Sequence, residues 1–341
     1  METPLIFVLY DSVTNSVFDS QIHNLLQKKA RENPDQKIYL ISFETNNNKD
    51  LLKNKDCLYT TTYFKKYFFL GSISIWHGSY LLRKFLHSFK RYSIIARGSI
   101  AGLIAYNAYN KNNCSSFILQ VRGLLADEHT FTHQDNCSYL MKSIHYLRAK
   151  QLHCIEKKSY ALTKRSQVII EAVSSALKKH LIDTYTISKE RITIAQSDLP
   201  KTIPVAQKAL WRKEVRDYYN IPDSCLVYCY NGSVKPWQKP ELVIQYFKKA
   251  LKKNERSFLL IITQDIFAFT TLLKKNCAPD FYHVIKVPHE DIYKYLSAAD
   301  YGLLLRDPHI VNWTSRPTKA LEYQAVGLKI IHNSTIAYLN K

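Results

Sequence analysis

The residues of this chain that are best suited to chemistry lie between positions 315 and 331. The order of residue types predicts a turn and then a short helix. Pro317 can open this helix, because its missing N–H is one of those left unpaired at a helix start. Gly327 suits the left-handed residue that closes such a helix before an apolar strand. A helix start attracts phosphate, and Glu322, one to two turns into the helix, can accept hydrogen bonds from ribose hydroxyls.

This segment resembles the nucleotide-sugar signature of GT-B glycosyltransferases, in particular the retaining family 4 group. A small residue, then Pro-Thr-Lys, then Glu-Tyr and Ala-x-Gly precede an apolar strand, as in that family. The resemblance implies that Glu322 contacts the ribose of the donor nucleotide. The family usually has two glutamates eight residues apart, and Thr314 stands in the place of the first. The donor contacts implied in this segment are Ser315, Pro317, Thr318, Lys319 and Glu322.

Residues 230–239 follow a predicted strand, where the same family has a Gly-Arg pair and a later lysine. Gly232 matches the glycine, which lets the backbone approach the donor pyrophosphate. Lys239 matches the lysine and is implied in both catalysis and donor binding; the alternative is a solvated surface lysine. Ser233 replaces the arginine. Because the family stabilises the leaving pyrophosphate with cations and a helix end rather than a metal ion, we expect the missing charge from Lys235 or Arg306.

In the first half of the chain, a predicted strand runs into Arg122, where the family has a histidine that contacts the transferred sugar. A guanidinium stays protonated at neutral pH, so Arg122 cannot act as a base. It is predicted to bind a phosphate or carboxylate of the substrate. Asp127 and Glu128 are the nearest carboxylates and complete the predicted catalytic group. The alternative for these two residues is the acidic first turn of a helix.

Further residues are predicted on the acceptor side. Asp11 and Ser12 follow the first predicted strand, in a loop that the resemblance places over the ligands. Arg97 ends a short apolar run in the same strand–Arg–Gly arrangement as Arg122. His77 belongs to residues 76–79, which we predict as a substrate loop, although a lone histidine is more often structural.

Apolar runs alternate between strand and helix patterns along the whole chain, which predicts an α/β protein with parallel sheets covered on both faces. A polar, proline-containing stretch at residues 199–208 is predicted as the linker. We therefore expect residues 1–200 to form an acceptor-side domain and residues 201–341 a nucleotide-sugar domain that is short at its C-terminus. The resemblance implies the GT-B architecture, two Rossmann-like domains that face a cleft.

The chain of 341 residues has a formal net charge of +20, from 48 Lys and Arg against 28 Asp and Glu. Such a field attracts polyanions, and an anionic membrane surface is the partner that we expect. Nucleic acid is not expected, because no zinc-finger spacing and no aromatic–basic RNA signature appear. No apolar run approaches the roughly 18–20 residues of a membrane span.

The seven cysteines are scattered, without the paired spacing of a metal site. Their odd number and the missing export signal predict reduced thiols in a cytoplasm, with the protein peripheral at the inner face of the membrane. The chain has no Asp-x-Asp motif. We therefore expect neither a metal ion nor another cofactor beside the donor, a nucleoside diphosphate sugar.

With the resemblance, these features predict a retaining, metal-independent, hexosyltransferase-like enzyme. It would move a sugar to a glycan or lipid-linked acceptor of the bacterial surface polysaccharide or lipopolysaccharide type. Three alternatives stay open. A nucleotide-sugar epimerase on this scaffold would form product without an acceptor. A degenerate, non-catalytic partner protein would bind nucleotide without turnover, and a protein that binds nucleic acid by charge alone would do so with strong salt dependence.

Overall fold

The computed structural model describes residues 3–14, 18–45, 56–67, 70–133, 138–196, 202–235 and 238–340, except the side chains of Ser20 and Arg165. The chain divides into two compact units, Met1–Asp198 and Leu199–Lys341. The boundary predicted between residues 200 and 201 falls within residues 197–201, outside the described residues. Each unit is therefore described by itself.

The first unit contains a seven-stranded sheet in which all strand pairs are parallel. Its strands are β1 (Leu5–Leu9), β2 (Ile38–Glu44), β3 (Thr60–Lys65), β4 (Tyr92–Arg97), β5 (Cys114–Val121), β6 (Ile169–Ala172) and β7 (Ile192–Ile194). The spatial order is β3-β2-β1-β4-β5-β6-β7. The chain therefore leaves β1 and β4 in opposite directions, and the switch point between them is where open α/β sheets bind ligands.

Helices cover this sheet, so its central strands are apolar on both faces. All five residues of β1 are buried, for example. The helices are α1 (Asn24–Glu32), α2 (Ser72–Leu86), α3 (Ser99–Ala108), α4 (Leu125–His133), α5 (Tyr139–Tyr160), α6 (Leu162–Arg165) and α7 (Ser175–Tyr185). A π-helical turn, Asp19–His23, precedes α1, and a 3-10 turn, Lys189–Arg191, precedes β7.

The substrate loop predicted at residues 76–79 is wrong, because these residues lie inside α2. Buried residues recur at helical spacing along this helix, at Ile75, Ser79, Leu82 and Leu86. This spacing places one face of α2 against the core of the unit. His77 is therefore held by a helix, and its ring contacts that of Tyr67 at a centroid distance of 5.5 Å.

The second unit contains a five-stranded parallel sheet with the order β10-β9-β8-β11-β12. Its strands are β8 (Leu226–Asn231), β9 (Ser257–Ile262), β10 (Tyr282–Ile285), β11 (Tyr301–Leu304) and β12 (Lys329–His332). Its helices are α8 (Val205–Tyr218), α9 (Pro240–Lys253), α10 (Ile266–Lys274), α11 (Ile292–Leu296), α12 (Ile310–Trp313) and α13 (Thr318–Ala325). Short 3-10 turns lie at Pro279–Phe281, His289–Asp291 and Ala337–Leu339. The switch point of this sheet lies between β8 and β11.

The linker predicted at residues 199–208 is too long, because α8 begins at Val205. Pro204 directly precedes that helix, at a position where a missing N–H costs nothing. At the other end of the unit, Gly327 has a φ of +67°, the left-handed conformation predicted after α13. Among the described helices of both units, none has the length and apolar character needed to cross a membrane.

Candidate functional site

The donor-side residues named by the sequence gather at the switch point of the second unit. Gly232 follows the end of β8, and Arg306 follows the end of β11 by two residues. The helix α13, which carries Lys319 and Glu322, packs against β11 and β12. Loops and helix starts from neighbouring parallel strands thus meet at one edge of the sheet, where ligands bind in this class of fold.

Glu322 is buried and contacts the end of β8. The amide Nδ2 of Asn231 donates a hydrogen bond of 2.6 Å to Oε2 of Glu322. Burial raises the pKa of Glu322 to about 7, although the Lys319 ammonium and the Asn231 hydrogen bond oppose this shift. The contact fixes the orientation of the carboxylate, which can accept hydrogen bonds from a bound hydroxyl group.

Lys319 is also buried, and its ammonium Nζ lies 4.3 Å from the ring centroid of Tyr230. The same ammonium donates a hydrogen bond to Oε1 of Gln238. Burial lowers the pKa of Lys319 well below its usual range, and the neighbouring Arg306 lowers it further. An anionic ligand would reverse this shift, because an opposite charge favours the protonated amine.

Arg306 is the second buried cation of this group. Its Nη1 donates to Oδ1 of Asn312 over 3.1 Å, whereas its buried Nε has no hydrogen-bond partner within the described residues. Asn333 exchanges hydrogen bonds with the backbone N–H and carbonyl of Arg306, at 3.2 and 2.6 Å. Buried cations are costly unless paired, so the site formed by Lys319, Arg306 and Glu322, with two cations and one carboxylate, favours an anion.

Lys239 lies directly before α9 and forms an ion pair with Asp307, with 2.7 Å between Nζ and Oδ2. Since Asp307 follows Arg306 in the chain, this pair lies at the same edge of the sheet. Lys235 is exposed, and the backbone carbonyl of Ser233 accepts a 2.9 Å hydrogen bond from the Tyr230 hydroxyl. The structure thus pairs Lys239 with Asp307, the residue after Arg306, and uses the carbonyl of Ser233 within the loop after β8.

Gly232 leaves room for the side chains around it. A Cβ at this position would lie 2.4 Å from Nζ of Lys319 and 2.9 Å from Oε1 of Gln238. The absence of a side chain therefore allows Lys319 to approach the backbone at the end of β8. The approach of a donor pyrophosphate to this backbone, expected from the sequence, stays a prediction.

The residues directly before α13 make hydrogen bonds within their own segment of the chain. Pro317 is buried, Thr318 begins the helix, and Oγ of Ser315 donates to the carbonyl of Asn312 over 2.8 Å. Thr314, which stands in the place of a family glutamate, is buried and donates from Oγ1 to the carbonyl of Ile310 over 2.8 Å. Its hydroxyl therefore completes the last turn of α12.

Tyr323 is a site residue that the sequence analysis did not single out. Its hydroxyl accepts a 2.9 Å hydrogen bond from the backbone N–H of Asn231, at the end of β8. Its ring lies against Gly302 of β11, where a Cβ would come within 2.4 Å of Cδ2. Tyr323 thus connects α13 to both strands of the switch point. Its position directly after Glu322, in the Glu-Tyr pair of the signature, was the sequence feature that could have indicated it.

In the first unit, Asp11 and Ser12 follow β1 at the switch point, as Arg97 does at the end of β4. Oγ of Ser12 donates to Oε2 of Glu44 over 2.6 Å, and Asp11 is exposed beside it. Arg97 is buried and donates from Nη2 to the side-chain oxygen of Gln21. Glu44, the last residue of β2, is a further residue of this site that no motif indicated, although it ends an apolar run.

Arg122 lies just beyond β5 and pairs with Glu171 of β6, with 3.6 Å between Nη2 and Oε1. Asp127 and Glu128 occupy the first turn of α4, the position of the predicted alternative. Part of Glu128 is exposed, but its carboxylate lies against the turn at Gly123. Burial raises the pKa of Glu128 to about 7, and the charges of Glu156, Asp11 and Asp127 add to the shift. Glu128 can therefore hold a proton near neutral pH.

Glu156 on α5 is wholly buried and binds the start of α4. Its carboxylate accepts hydrogen bonds from the backbone N–H of Leu125 and of Ala126, at 2.6 and 3.4 Å, and from the Tyr160 hydroxyl at 3.3 Å. Burial raises its pKa to about 7 against these hydrogen bonds. The orientation of α4, and with it that of Asp127 and Glu128, depends on this residue, which no motif indicated.

Several solved structures share this arrangement of two parallel-sheet units. A glycosyltransferase from Rickettsia africae ESF-5 aligns with a TM-score of 0.65 and 13% identity, over 100% of this chain and 83% of that one. WaaG, a glycosyltransferase involved in lipopolysaccharide biosynthesis, gives 0.63 and 13%, over 98% and 82%. HepE from Anabaena, solved with UDP and glucose, gives 0.65 and 13%, over 99% and 82%. This chain has the GT-B fold.

The GT-B fold confirms the fold class expected from the sequence. No family model matches the chain, and no curated protein matches it by sequence. The likeness at 13% identity therefore concerns the GT-B fold alone. Within that fold, the cluster of Arg306, Lys319 and Glu322 lies in the second unit, which the resemblance assigns to the donor.

Proposed function

We propose that this chain is a retaining glycosyltransferase that moves a sugar from a nucleoside diphosphate sugar to a glycan or lipid-linked acceptor. The observation that carries the proposal is the cluster at the switch point of the second unit. There a buried carboxylate, Glu322, contacts the end of β8 beside two buried cations, Lys319 and Arg306. Glu322 could accept hydrogen bonds from a ribose, and the two cations could bind a pyrophosphate.

The nucleoside diphosphate would be the leaving group, and negative charge develops on its terminal phosphate as the bond to the sugar breaks. Lys319 and Arg306 are positioned before the reaction begins and need no reorganisation to stabilise that charge. Lys239 adds a third cation when it exchanges Asp307 for phosphate. In a retaining transfer the leaving phosphate can accept the proton of the acceptor, so the proposal requires no protein base and no metal ion.

The acceptor would bind to the first unit, near the ends of β1, β4 and β5. Arg97 and Arg122 offer cations there, and Glu128 offers an acid that can hold a proton near pH 7. We assign these residues to binding and orientation of the acceptor. Asp127 and Glu128 would contact its hydroxyl groups.

The test is a binding and turnover experiment on purified protein. UDP, GDP, ADP and CMP and their sugars are screened by thermal shift, with magnesium and with EDTA, because a ligand that binds the native state raises Tm. We expect one nucleoside diphosphate to raise Tm equally in both buffers. Glu322→Ala should lose this shift, while Glu255→Ala, at an exposed carboxylate of the same unit, should keep it. Absence of any shift in the wild type would refute the proposal.

Turnover then separates an enzyme from a protein that only binds nucleotide. Release of nucleoside diphosphate that depends on an added acceptor, with the donor's anomeric configuration kept in the product, is the expected result. Product formed without an acceptor would indicate an epimerase instead. Binding without turnover for any acceptor would indicate a non-catalytic partner protein.

We also propose that the acceptor is presented at an anionic membrane surface. Large apolar side chains at the start of α5 are exposed, and Leu140, Ile144 and Leu147 recur at helical spacing among Lys142 and Lys150. Exposed apolar groups beside cations are typical of helices that bind anionic lipid. Sedimentation with vesicles should show binding with phosphatidylglycerol, weaker binding at high salt, and a loss in Leu140→Ser/Leu147→Ser. Equal binding to neutral vesicles, or none, would contradict this proposal.

A further inference from the structure

Three histidines that no part of the proposed transfer uses come together in the first unit. His129 and His133 lie one turn apart on α4, and His145 lies on α5. One candidate ligand atom from each lies within 4.8 Å of the other two. All three side chains are half-buried, so an ion from solution can reach them.

The spacing of the nitrogen atoms fits a tetrahedral metal ion. Nδ1 of His145 lies 3.4 Å from Nε2 of His129. Two nitrogen ligands at the usual zinc distance of about 2.0–2.1 Å are about 3.3 Å apart in a tetrahedral site. Little movement of these two rings is therefore needed to bind a zinc ion between them.

The third histidine has one ring nitrogen left for a metal ion. Nδ1 of His133 donates a 2.8 Å hydrogen bond to the backbone carbonyl of His129, which fixes the tautomer and leaves Nε2 to coordinate. Zinc-binding histidines commonly donate their other ring N–H to a carbonyl in this way. The ring of His133 stacks on that of His145, with 4.1 Å between centroids, so it must turn away from that ring before its Nε2 can reach the same ion.

We propose that His129, His133 and His145 form a zinc site that connects the C-terminal end of α4 to α5. Three imidazoles are a donor set that zinc prefers, and a water molecule would complete the tetrahedron. The start of α4 is already bound to α5 through Glu156. The ion would fix the other end of α4 and so position Asp127 and Glu128. No step of sugar transfer passes through it.

The experiment uses untagged protein stripped with EDTA and titrated with zinc against a chromophoric chelator. The wild type should bind one zinc ion per chain, and His133→Ala and His145→Ala should bind it at least tenfold more weakly. Two variants serve as controls. His153→Ala removes an exposed histidine of the same helix, and Cys154→Ser removes an exposed thiol that could bind zinc on its own. Both should match the wild type.

Two further readouts separate coordination from folding. Cobalt bound to the wild type should show the intense visible bands of a tetrahedral ion, which the His133 and His145 variants should lack. In EDTA all variants should melt near the wild-type temperature, and zinc should raise Tm only where the three histidines are present. A wild type that binds no stoichiometric zinc, or histidine variants that bind it as tightly, would overturn the proposal.

Discussion

Nζ of Lys239 lies 2.7 Å from Oδ2 of Asp307, so the lysine assigned to the donor pyrophosphate is already paired with an anion. Both side chains are about one third exposed, at 33% and 34%. An ion pair of this exposure adds little to stability. It matters for binding, because a phosphate group must compete with Asp307 for Lys239.

We predict that Asp307→Asn strengthens binding of the nucleoside diphosphate by a factor of about five, on the order of 1 kcal/mol. Lys239→Ala should reduce sugar transfer more than it reduces binding of the plain nucleoside, which has no phosphate. Calorimetric titration of both ligands with both variants measures binding, and a turnover assay of Lys239→Ala measures sugar transfer. Equal losses for nucleoside and nucleoside diphosphate in Lys239→Ala would show that Lys239 does not contact phosphate.

A second prediction concerns Gly232. In Gly232→Ala the new Cβ would lie 2.4 Å from Nζ of Lys319, so the ammonium must leave its place on the Tyr230 ring. Because the end of a lysine side chain moves readily, we expect a small change in Tm but donor affinity lowered by about tenfold, or 1.4 kcal/mol. In a Lys319→Ala background the same substitution should have no further effect. Additive losses in the double variant would contradict this explanation.

The third prediction tests the connection through Tyr323. Tyr323→Phe removes the hydroxyl that accepts the N–H of Asn231 and leaves that half-buried amide without this partner. Such a loss costs about 1–3 kcal/mol of unfolding free energy. Tyr338→Phe is the control, since its hydroxyl bonds to Gln324 at the surface and should cost nearly nothing. Urea denaturation measures the free energy of unfolding of both variants. Equal losses in the two variants would mean that Tyr323 does not support the end of β8.

The fourth prediction concerns pH and Glu156, whose pKa is raised by burial from 4.5 to about 7. Between these two pH values the folded protein binds more protons than the unfolded chain. The free energy of unfolding should therefore fall as the pH rises through this window. Glu128 and Glu322, also raised to about 7, act in the same direction.

Glu156→Gln removes one of these protonation equilibria, and its amide oxygen can still accept the N–H of Leu125. We expect the loss of stability between pH 5 and pH 8 to shrink by up to about 3 kcal/mol. Chemical denaturation at several pH values measures the slope, with Glu255→Gln as an exposed control. An unchanged slope in Glu156→Gln would show that this carboxylate is ionised throughout the range.

The sequence indicated the strands of both sheets, including the edge strands β7, β10 and β12, and missed β3. Residues 5–10 are a continuous apolar run, and the first five of them form β1, since a strand covered on both faces needs such residues. The strand β3 has no fully buried residue, and its large apolar residues are Tyr63 and Phe64 alone. It therefore contains no continuous apolar run that would indicate a strand. The helix α2 also carries large apolar residues on its exposed side, at Ile73, Trp76 and Tyr80. Because apolar residues lie on both sides, the sequence pattern does not show which face is buried.

The candidate site shows the same division. Pro317, Lys319 and Glu322 are neighbours in the chain, so a local motif indicated them. Asn231 contacts Glu322 although the two residues are 91 positions apart, and only the neighbouring ends of β8 and β11 explain that contact. His145 likewise meets His129 because α4 and α5 pack together. Contacts that depend on tertiary packing have no characteristic residue spacing in the sequence, so no motif indicates them.

The hydrogen-bond acceptor for the first turn of α4 lies on another helix. The N–H of Leu125 and that of Ala126 bond to a side chain 31 and 30 positions later in the chain, on α5. This turn therefore has no local acceptor for these two groups and depends on the docking of α5. The amide protons of Leu125 and Ala126 should exchange with solvent in the same cooperative opening as the middle of α5, as a single unit of local unfolding.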